Sequence, residues 1–346
     1  MKWSLVKAAQ FPTTSWAALH ARCHASPMLA VEFVQPLITE FSVGSEYVAS
    51  CEHDGRIVAM AVVVARGRGS WALFQPAQAP IGLWLQDSGQ ALAPLLASLV
   101  GALPGVALLF ALTQCDPDLL ARPAQGAKVR TLDYIDTARI TLAGSFDAYW
   151  NGRGKNLRAN LKKQRARLDR EGVALRLQVS RLPADVAAAV ADYGRLESAG
   201  WKAGGGTAVN AGNAQGRYYQ TMLEGFCRRG AGSIYRYWFG EQLVAMDLCI
   251  EDNEQIIVLK TTYDESVPAN LSPTLLMREE ACRRLFDEGR LARLEFYGKV
   301  MEWHTRWTDE VRTLYHVKYY RWPALARLHA LWQSRRAPTP KEHHVP

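Results

Sequence analysis

Apolar and polar positions along the chain fall into two series that repeat each other's order. Asp54-Gly55-Arg56 leads into the apolar run Ile57-Val58-Ala59-Met60, and a second run follows at Trp71–Phe74. Gly240-Glu241-Gln242 leads into Leu243-Val244-Ala245-Met246, followed by Ile256–Tyr263. Short apolar runs bounded by turn residues predict paired strands. Val-Ala-Met recurs at an offset of 186 residues, and Leu73 and Leu259 share that offset. Next in each series comes Leu-x-Pro, at Leu92-Ala93-Pro94 and Leu271-Ser272-Pro273. Proline is tolerated in the first turn of a helix, where its missing N–H would be unpaired anyway. Each helix leads into another apolar run, Val106–Leu112 or Leu291–Tyr297. Hairpin, helix and strand, twice over, predict a duplicated α/β chain built on mixed sheets.

Between the two series, Phe146–Arg170 is polar and basic, and predicts a helix joining the halves. Val186, Val190, Tyr193 and Leu196 are spaced for one helical face within Ala184–Ala199. The expected organisation is a first unit at 1–144, a linker helix at 145–172, a second unit at 173–332 and a flexible tail at 333–346. A chain of 346 residues suits two cores better than one.

Charge sharpens the picture at one place. Eight basic residues and only Asp169 lie between Arg153 and Arg170, which accounts for nearly all of the net charge of +8. Such a run has three readings: a solvated face, a guide for phosphate-bearing substrates, or a seat for tRNA. The last is disfavoured by the lack of stacking aromatics between Arg153 and Arg170. Contact of this helix with a membrane surface is a further expectation.

Ala91–Leu112 has no charge over 22 residues, long enough to cross a bilayer. Pro104-Gly105 interrupts it, so the expectation is a buried helix and a buried strand, with no transmembrane segment. The six cysteines show no metal or disulfide spacing, and the first residues lack a signal peptide's apolar core. A cytoplasmic protein without a metal site is expected.

The order of these elements, with particular residues inside them, resembles the GNAT acyltransferases, and among them the tandem FemAB/CelD-like branch. The likeness is carried by Gly200-Trp201-Lys202 with Gly206-Thr207-Ala208, by Tyr218-Tyr219, and by Leu243–Met246. It continues through Leu259-Lys260-Thr261-Thr262-Tyr263-Asp264-Glu265 and Leu271-Ser272-Pro273, with Asn156-Leu157-Arg158 in the linker. It covers residues 145–310 well and the first half only in layout. The resemblance implies a degenerate first GNAT-like unit and a second that carries the site. It also implies acetyl-CoA or another acyl-CoA as co-substrate, and a small-molecule or saccharide acceptor of the kind used in polysaccharide biosynthesis. Two departures stand out. Thr274 follows Ser272-Pro273 where the family has glycine, and Val267–Leu271 holds no glycine for a pyrophosphate turn.

Acyl transfer needs an anchored donor, hydrogen-bond donors for the oxyanion and a base. The expected donor site is Leu271, Ser272, Pro273 and Thr274, because a helix N-terminus favours anions. Asp247 sits where the first half has Ala61, and Lys260 where it has Phe74. With a hairpin turn at Glu251–Glu254, Asp247 is expected opposite Val258, with Lys260 as its diagonal neighbour. That pair is either a structural ion pair or catalytic, with Asp247 as base or orienting group and Lys260 holding an anion. Tyr263 is a further catalytic candidate. Glu302, His304 and Arg306 share one side if extended, which makes His304 a candidate general base or a packed core histidine. Trp201, Lys202, Thr207, Asp264 and Glu302 are candidate acceptor-binding residues, the first three on a glycine-rich loop.

Three functions follow. The first is acyl transfer from a CoA-type thioester to an amine or hydroxyl. The second is a Fem-like ligase using aminoacyl-tRNA, and the third a non-catalytic accessory protein that retains the fold.

Overall fold

The computed structural model describes residues 1–23, 25–199, 209–210 and 212–336. The first half runs β1 (Lys2–Lys7), α1 (Thr13–Cys23), α2 (Val31–Phe41), β2 (Tyr47–His53), β3 (Arg56–Gly67), β4 (Ser70–Leu73) and β5 (Trp84–Gln86). It continues with α3 (Leu92–Ala102), β6 (Leu109–Cys115) and β7 (Val129–Thr141). Asp54 and Gly55 both adopt positive φ, 51° and 74°, giving the tight turn that closes the β2–β3 hairpin. The uncharged stretch 91–112 becomes α3 and most of β6, and no described helix is long and apolar enough to cross a membrane.

The expected single linker helix is two helices, α4 (Phe146–Asn151) and α5 (Lys155–Arg170). Gly152 and Gly154 separate them, as residues of poor helix propensity do. Leu157, Leu161, Gln164 and Leu168 form the buried stripe of α5, leaving its lysines outward.

The second half runs β8 (Leu175–Ser180), α6 (Val186–Ala199), α7 (Ala214–Arg228), β9 (Gly232–Phe239), β10 (Gln242–Glu251) and β11 (Gln255–Tyr263). Then come α8 (Pro273–Glu288), β12 (Arg293–Phe296), α9 (Glu302–Thr305), β13 (Val311–Tyr320) and α10 (Pro323–Arg336). Helix α8 begins with Pro273 at its first position and stops at Gly289, whose φ of 57° only glycine adopts cheaply. The hairpin, helix and strand of β3–β4–α3–β6 recur as β10–β11–α8–β12.

Among the described residues all strands join one 13-stranded sheet, ordered β1-β2-β3-β4-β6-β13-β7-β12-β11-β10-β9-β8, with β5 on β3. The centre of that order is an exchange. Strand β13, late in the chain, lies between β6 and β7, while β7 of the first half lies between β13 and β12. Arg312 on β13 ties the exchange together, reaching Asp116 after β6 and Glu295 on β12, each at 2.8 Å. One face carries a core shared by both halves, with Phe33, Val34 and Leu37 of α2 and Tyr218, Met222 and Phe226 of α7. On the other face α3 and α8 cover separate cores.

Candidate functional site

Strands β11 and β12 run paired only from Gln255–Arg293 to Val258–Phe296, and β11 then continues to Tyr263 paired with β10 but without β12. Where they part, a cleft of about 1050 Å³ opens between the end of β11, the start of α8 and α9. A bulge sits at the same point. Cys249 pairs with Val258 and Leu248 with Lys260, so Leu259 is an extra residue in β11.

The extra residue reverses which backbone groups face the cleft. Before it, the Glu254 carbonyl faces β12 and accepts from Ala292 and Arg293. After it, the Asp264 N–H faces β10 and donates to the Val244 carbonyl. Alternation then turns the N–H groups of Thr261 and Tyr263 to the open edge. Consistently, the Thr261 carbonyl on that edge accepts from the Tyr193 hydroxyl of α6, at 3.1 Å.

The turn, at Asp252–Gln255 and not Glu251–Glu254, and the bulge together correct the expected hairpin register. Asp247 opposes Thr261 rather than Val258, and Lys260 opposes Leu248. The two side chains lie on opposite faces of the sheet, and the expected Asp247–Lys260 pair does not form. Asp247 instead accepts a 2.5 Å hydrogen bond from the Thr261 hydroxyl, and its other oxygen lies 2.7 Å from Arg278 Nη2 of α8. That ion pair lacks hydrogen-bond alignment, so Asp247 Oδ2 keeps unused accepting capacity. Burial pushes the Asp247 carboxyl up, against the opposing pull of Arg278 and Thr261. Arg278 stands at the floor of the cleft, 4% exposed, with its guanidinium over the Phe296 ring. Lys260 pairs with the buried Glu197 at 3.5 Å, above the Tyr219 ring.

Leu271, Ser272, Pro273 and Thr274 do line the cleft, as do Tyr263, Asp264 and Glu302. The first turn of α8 offers few donors. The Ser272 N–H donates to Gln164 Oε1 of α5 at 2.8 Å, and Pro273 has none. Leu275 and Leu276 both donate to the Ser272 carbonyl, and the Ser272 hydroxyl makes no cap. Thr274 thus carries the one N–H of residues 272–276 without a backbone or Gln164 acceptor, in a helix end whose dipole favours an anion.

Across the cleft, 302–305 is a helical turn and not extended. Glu302 and Arg306 share a side because they are i,i+4 partners, 2.8 Å apart. His304 turns inward, 4% exposed, stacked on Trp303 at 3.5 Å between ring centres. Its Nδ1 accepts from the Met301 N–H at 2.9 Å, which assigns the proton of the neutral ring to Nε2. Burial pulls its pKa down to about 4. A neutral ring whose accepting nitrogen is occupied is not poised as a base, so His304 shapes α9. Partial burial alone would raise the Asp264 carboxyl, but hydrogen bonds from Ser266 and Gln242 hold it below the usual range. Trp201, Lys202 and Thr207 lie outside the described residues.

A second hollow, of about 470 Å³, runs along α5 and is lined by Trp150, Lys155, Arg158, Lys162 and Arg165. Arg165 is engaged with Glu279 at 3.0 Å and Glu280 at 2.7 Å, so it is a structural anchor. Among the described residues, Lys155, Arg158 and Lys162 have no acidic partner. The groove does hold an aromatic: Trp150 borders it and stacks on Trp307 of the cleft, with centroids 5.7 Å apart.

Sequence reasoning passed over Arg278, Thr261 and Trp307. Arg278 had a signal, since it lies one turn from Cys282 on the buried stripe of an amphipathic helix, and a buried charge demands a partner. Among the described residues no group of His, Cys, Asp and Glu is arranged to hold a metal.

Residues 155–305 match the family model of an acetyltransferase (GNAT) domain. The fold recurs in the C-terminal domain of a putative lysylphosphatidylglycerol synthetase from Agrobacterium fabrum. That structure is 13% identical, with TM-score 0.58, covering 93% of this chain and 95% of that one. FemX is 8% identical, with TM-score 0.58 and coverage of 95% and 99%. L-PGS from Bacillus licheniformis is 13% identical, with TM-score 0.50 and coverage of 86% and 90%. No curated protein matches the chain in sequence. Residues 155–305 are thus similar to a GNAT acetyltransferase domain, and the likeness to the solved structures shows that the chain shares their fold.

Proposed function

We propose that the chain transfers an acyl group from a CoA-type thioester to an amine or hydroxyl acceptor in the β11–α8–α9 cleft. The observation that carries this is the coincidence of three features: the parted strands, the backbone N–H groups turned into the gap by the Leu259 bulge, and the helix N-terminus beside them. The acyl carbonyl would lie along the open edge of β11, where the Thr261 and Tyr263 N–H groups stabilise the oxyanion that forms on attack. Donor phosphates would rest on the Thr274 N–H at the α8 N-terminus. Arg278 adds positive charge beneath, and Asp247 fixes both that guanidinium and the Thr261 side chain. The acceptor attacks the acyl carbon and the carbon–sulfur bond breaks. The Tyr263 hydroxyl supplies a proton to the departing thiolate, and Glu302 at the rim takes the acceptor's proton, directly or through water. Exposed Trp303 and Met301 beside these carboxylates suit a saccharide acceptor, whose C–H faces pack on apolar surface while its hydroxyls meet acids.

One observation favours a second donor. With a single N–H left in the first turn of α8 and no glycine turn, the pyrophosphate seat is narrow, while the Lys155–Lys162 groove meets the cleft through Trp150 and Trp307. An aminoacyl ester carried on RNA would use that groove for its phosphates and Trp150 for stacking. Melting the protein with acetyl-CoA, longer acyl-CoAs and aminoacyl-tRNA separates the readings, because a ligand of the native state raises Tm. A shift with acyl-CoA alone supports the thioester, and a shift with aminoacyl-tRNA alone supports the ester. No shift with any donor would leave the accessory reading.

A further inference from the structure

The inner wall of the cleft is rich in hydrogen-bond donors. On the open edge of β11 the Thr261 and Tyr263 N–H groups face the gap, while the Thr261 carbonyl is already taken by the Tyr193 hydroxyl at 3.1 Å. Arg278 forms the floor, 4% exposed. Among the described residues its one ion-pair or hydrogen-bond partner is Asp247, at Nη2. Arg153, Arg236 and Arg293 each hold an unbonded Nε sealed from solvent, but no Arg278 nitrogen is sealed. Its remaining N–H groups therefore open into the cleft that it lines. The Trp307 Nε1–H, in the same wall, has no acceptor either.

A desolvated guanidinium is costly, and its N–H groups gain most from a charged acceptor. The Asp247 carboxylate takes the Thr261 hydroxyl on one oxygen and faces Arg278 with the other. The guanidinium thus lies a carboxylate's width from the side chain of Thr261, the residue that supplies an oxyanion donor. An acyl carbonyl held on the Thr261 N–H puts its next few carbons over Arg278, on the α8 side of the sheet. The acids Asp264 and Glu302 stand at the rim, where they repel an anion carried by the acceptor. An anion at Arg278 therefore belongs to the donor.

Resting on the acyl-transfer reading of this cleft, we propose that the acyl group is itself acidic: a short dicarboxylic acyl whose far carboxylate docks on Arg278. That carboxylate takes no part in the exchange of bonds. The carbon–sulfur bond breaks, the acceptor's bond to the acyl carbon forms, and the distal acid leaves on the product. The test is equilibrium binding, without acceptor, of shape-matched donors to the full chain. Malonyl-CoA and succinyl-CoA are compared with isovaleryl-CoA and isocaproyl-CoA, in which an isopropyl group replaces the carboxylate. The parent should bind the acidic member of each pair about tenfold more tightly. Arg278→Met with Asp247→Asn removes the guanidinium without leaving a lone buried charge, and the ratio should fall to about one. A general loss of CoA affinity cancels in that ratio. If the double variant misfolds, Arg278→Lys carries the test, since a point charge without the planar fork should keep only part of the preference. Equal or weaker binding of the acidic donors by the parent overturns the proposal and leaves acyl transfer standing. So does a preference that survives unchanged in a folded variant. Binding of no acyl-CoA at all removes the thioester reading, and this inference with it.

Discussion

Arg278 Nη2 lies 2.7 Å from Asp247 Oδ2, at a place where the first half of the chain holds only apolar side chains. Ala61 stands at the offset of Asp247, and counting from Pro94 and Pro273 puts Leu99 opposite Arg278. Both Ala61 and Leu99 are fully buried in one core. The architecture therefore manages without the ion pair, and removing one partner alone would leave an uncompensated buried charge costing about 3–5 kcal/mol. Asp247→Ala combined with Arg278→Leu restores the first-half pattern. This double variant should melt near the parent yet lose acyl transfer, whereas full activity in the folded variant would make the pair structural. A double-mutant cycle should find coupling of Asp247 to Arg278 and almost none to Lys260, which lies on the other face of the sheet.

His304 gives a pH signature. Its pKa in the folded chain is about 4, below the unfolded value of 6.5. Above about pH 6.5 neither state is charged there, and the residue adds no pH dependence. Between about 6.5 and 4 the unfolded chain binds a proton that the folded chain refuses, so stability falls as pH falls. Tm should decline across that window, and His304→Gln should flatten the decline, since glutamine still offers an acceptor to Met301. The rate of acyl transfer should show no limb near pH 6.5 that vanishes in His304→Gln. Such a limb would restore His304 as the base.

The groove on α5 predicts a salt-dependent effect. Changing Lys155, Arg158 and Lys162 to glutamine should weaken donor binding mainly at low ionic strength, where exposed charges act over a longer range. Arg165 is left out because it holds Glu279 and Glu280 and its loss would disturb α8. A defect of equal size at high salt would mean direct, desolvated contacts in place of long-range attraction.

The duplicated order of elements was legible because it rests on local signals: apolar runs, an Asp-Gly turn and the paired Leu-x-Pro helix starts. The start of α8 at Ser272-Pro273 was legible for the same reason. The partner of Asp247 was not, because the turn lies at Asp252–Gln255, which moves the register by two, and the extra residue at Leu259 moves it by one more and changes the face; nothing in the alternation of β11 marks that residue. Counting back from Glu251–Glu254 misassigned every pair of the hairpin, but only beyond the bulge did it also put the side chains on the wrong face. The exchange of β7 and β13 was hidden too, since it joins strands from opposite halves of the chain. Four residues of α9 are too few to display a period, so Glu302–Arg306 read equally well as extended.

The central claim, that the donor anchors at the α8 N-terminus beside the open edge of β11, is tested by Thr274→Asp. An acid in the first turn complements the helix dipole, so the variant should melt at or above the parental Tm. The same charge repels donor phosphates, so a defect in binding cannot be blamed on unfolding. The measurement is titration of parent and variant with the acyl donor that shifts the parental Tm. The account predicts saturable binding by the parent and affinity lower by about tenfold, roughly 1.4 kcal/mol, in the variant. Equal affinity of a folded Thr274→Asp variant for that donor would place the anchor elsewhere and contradict the account.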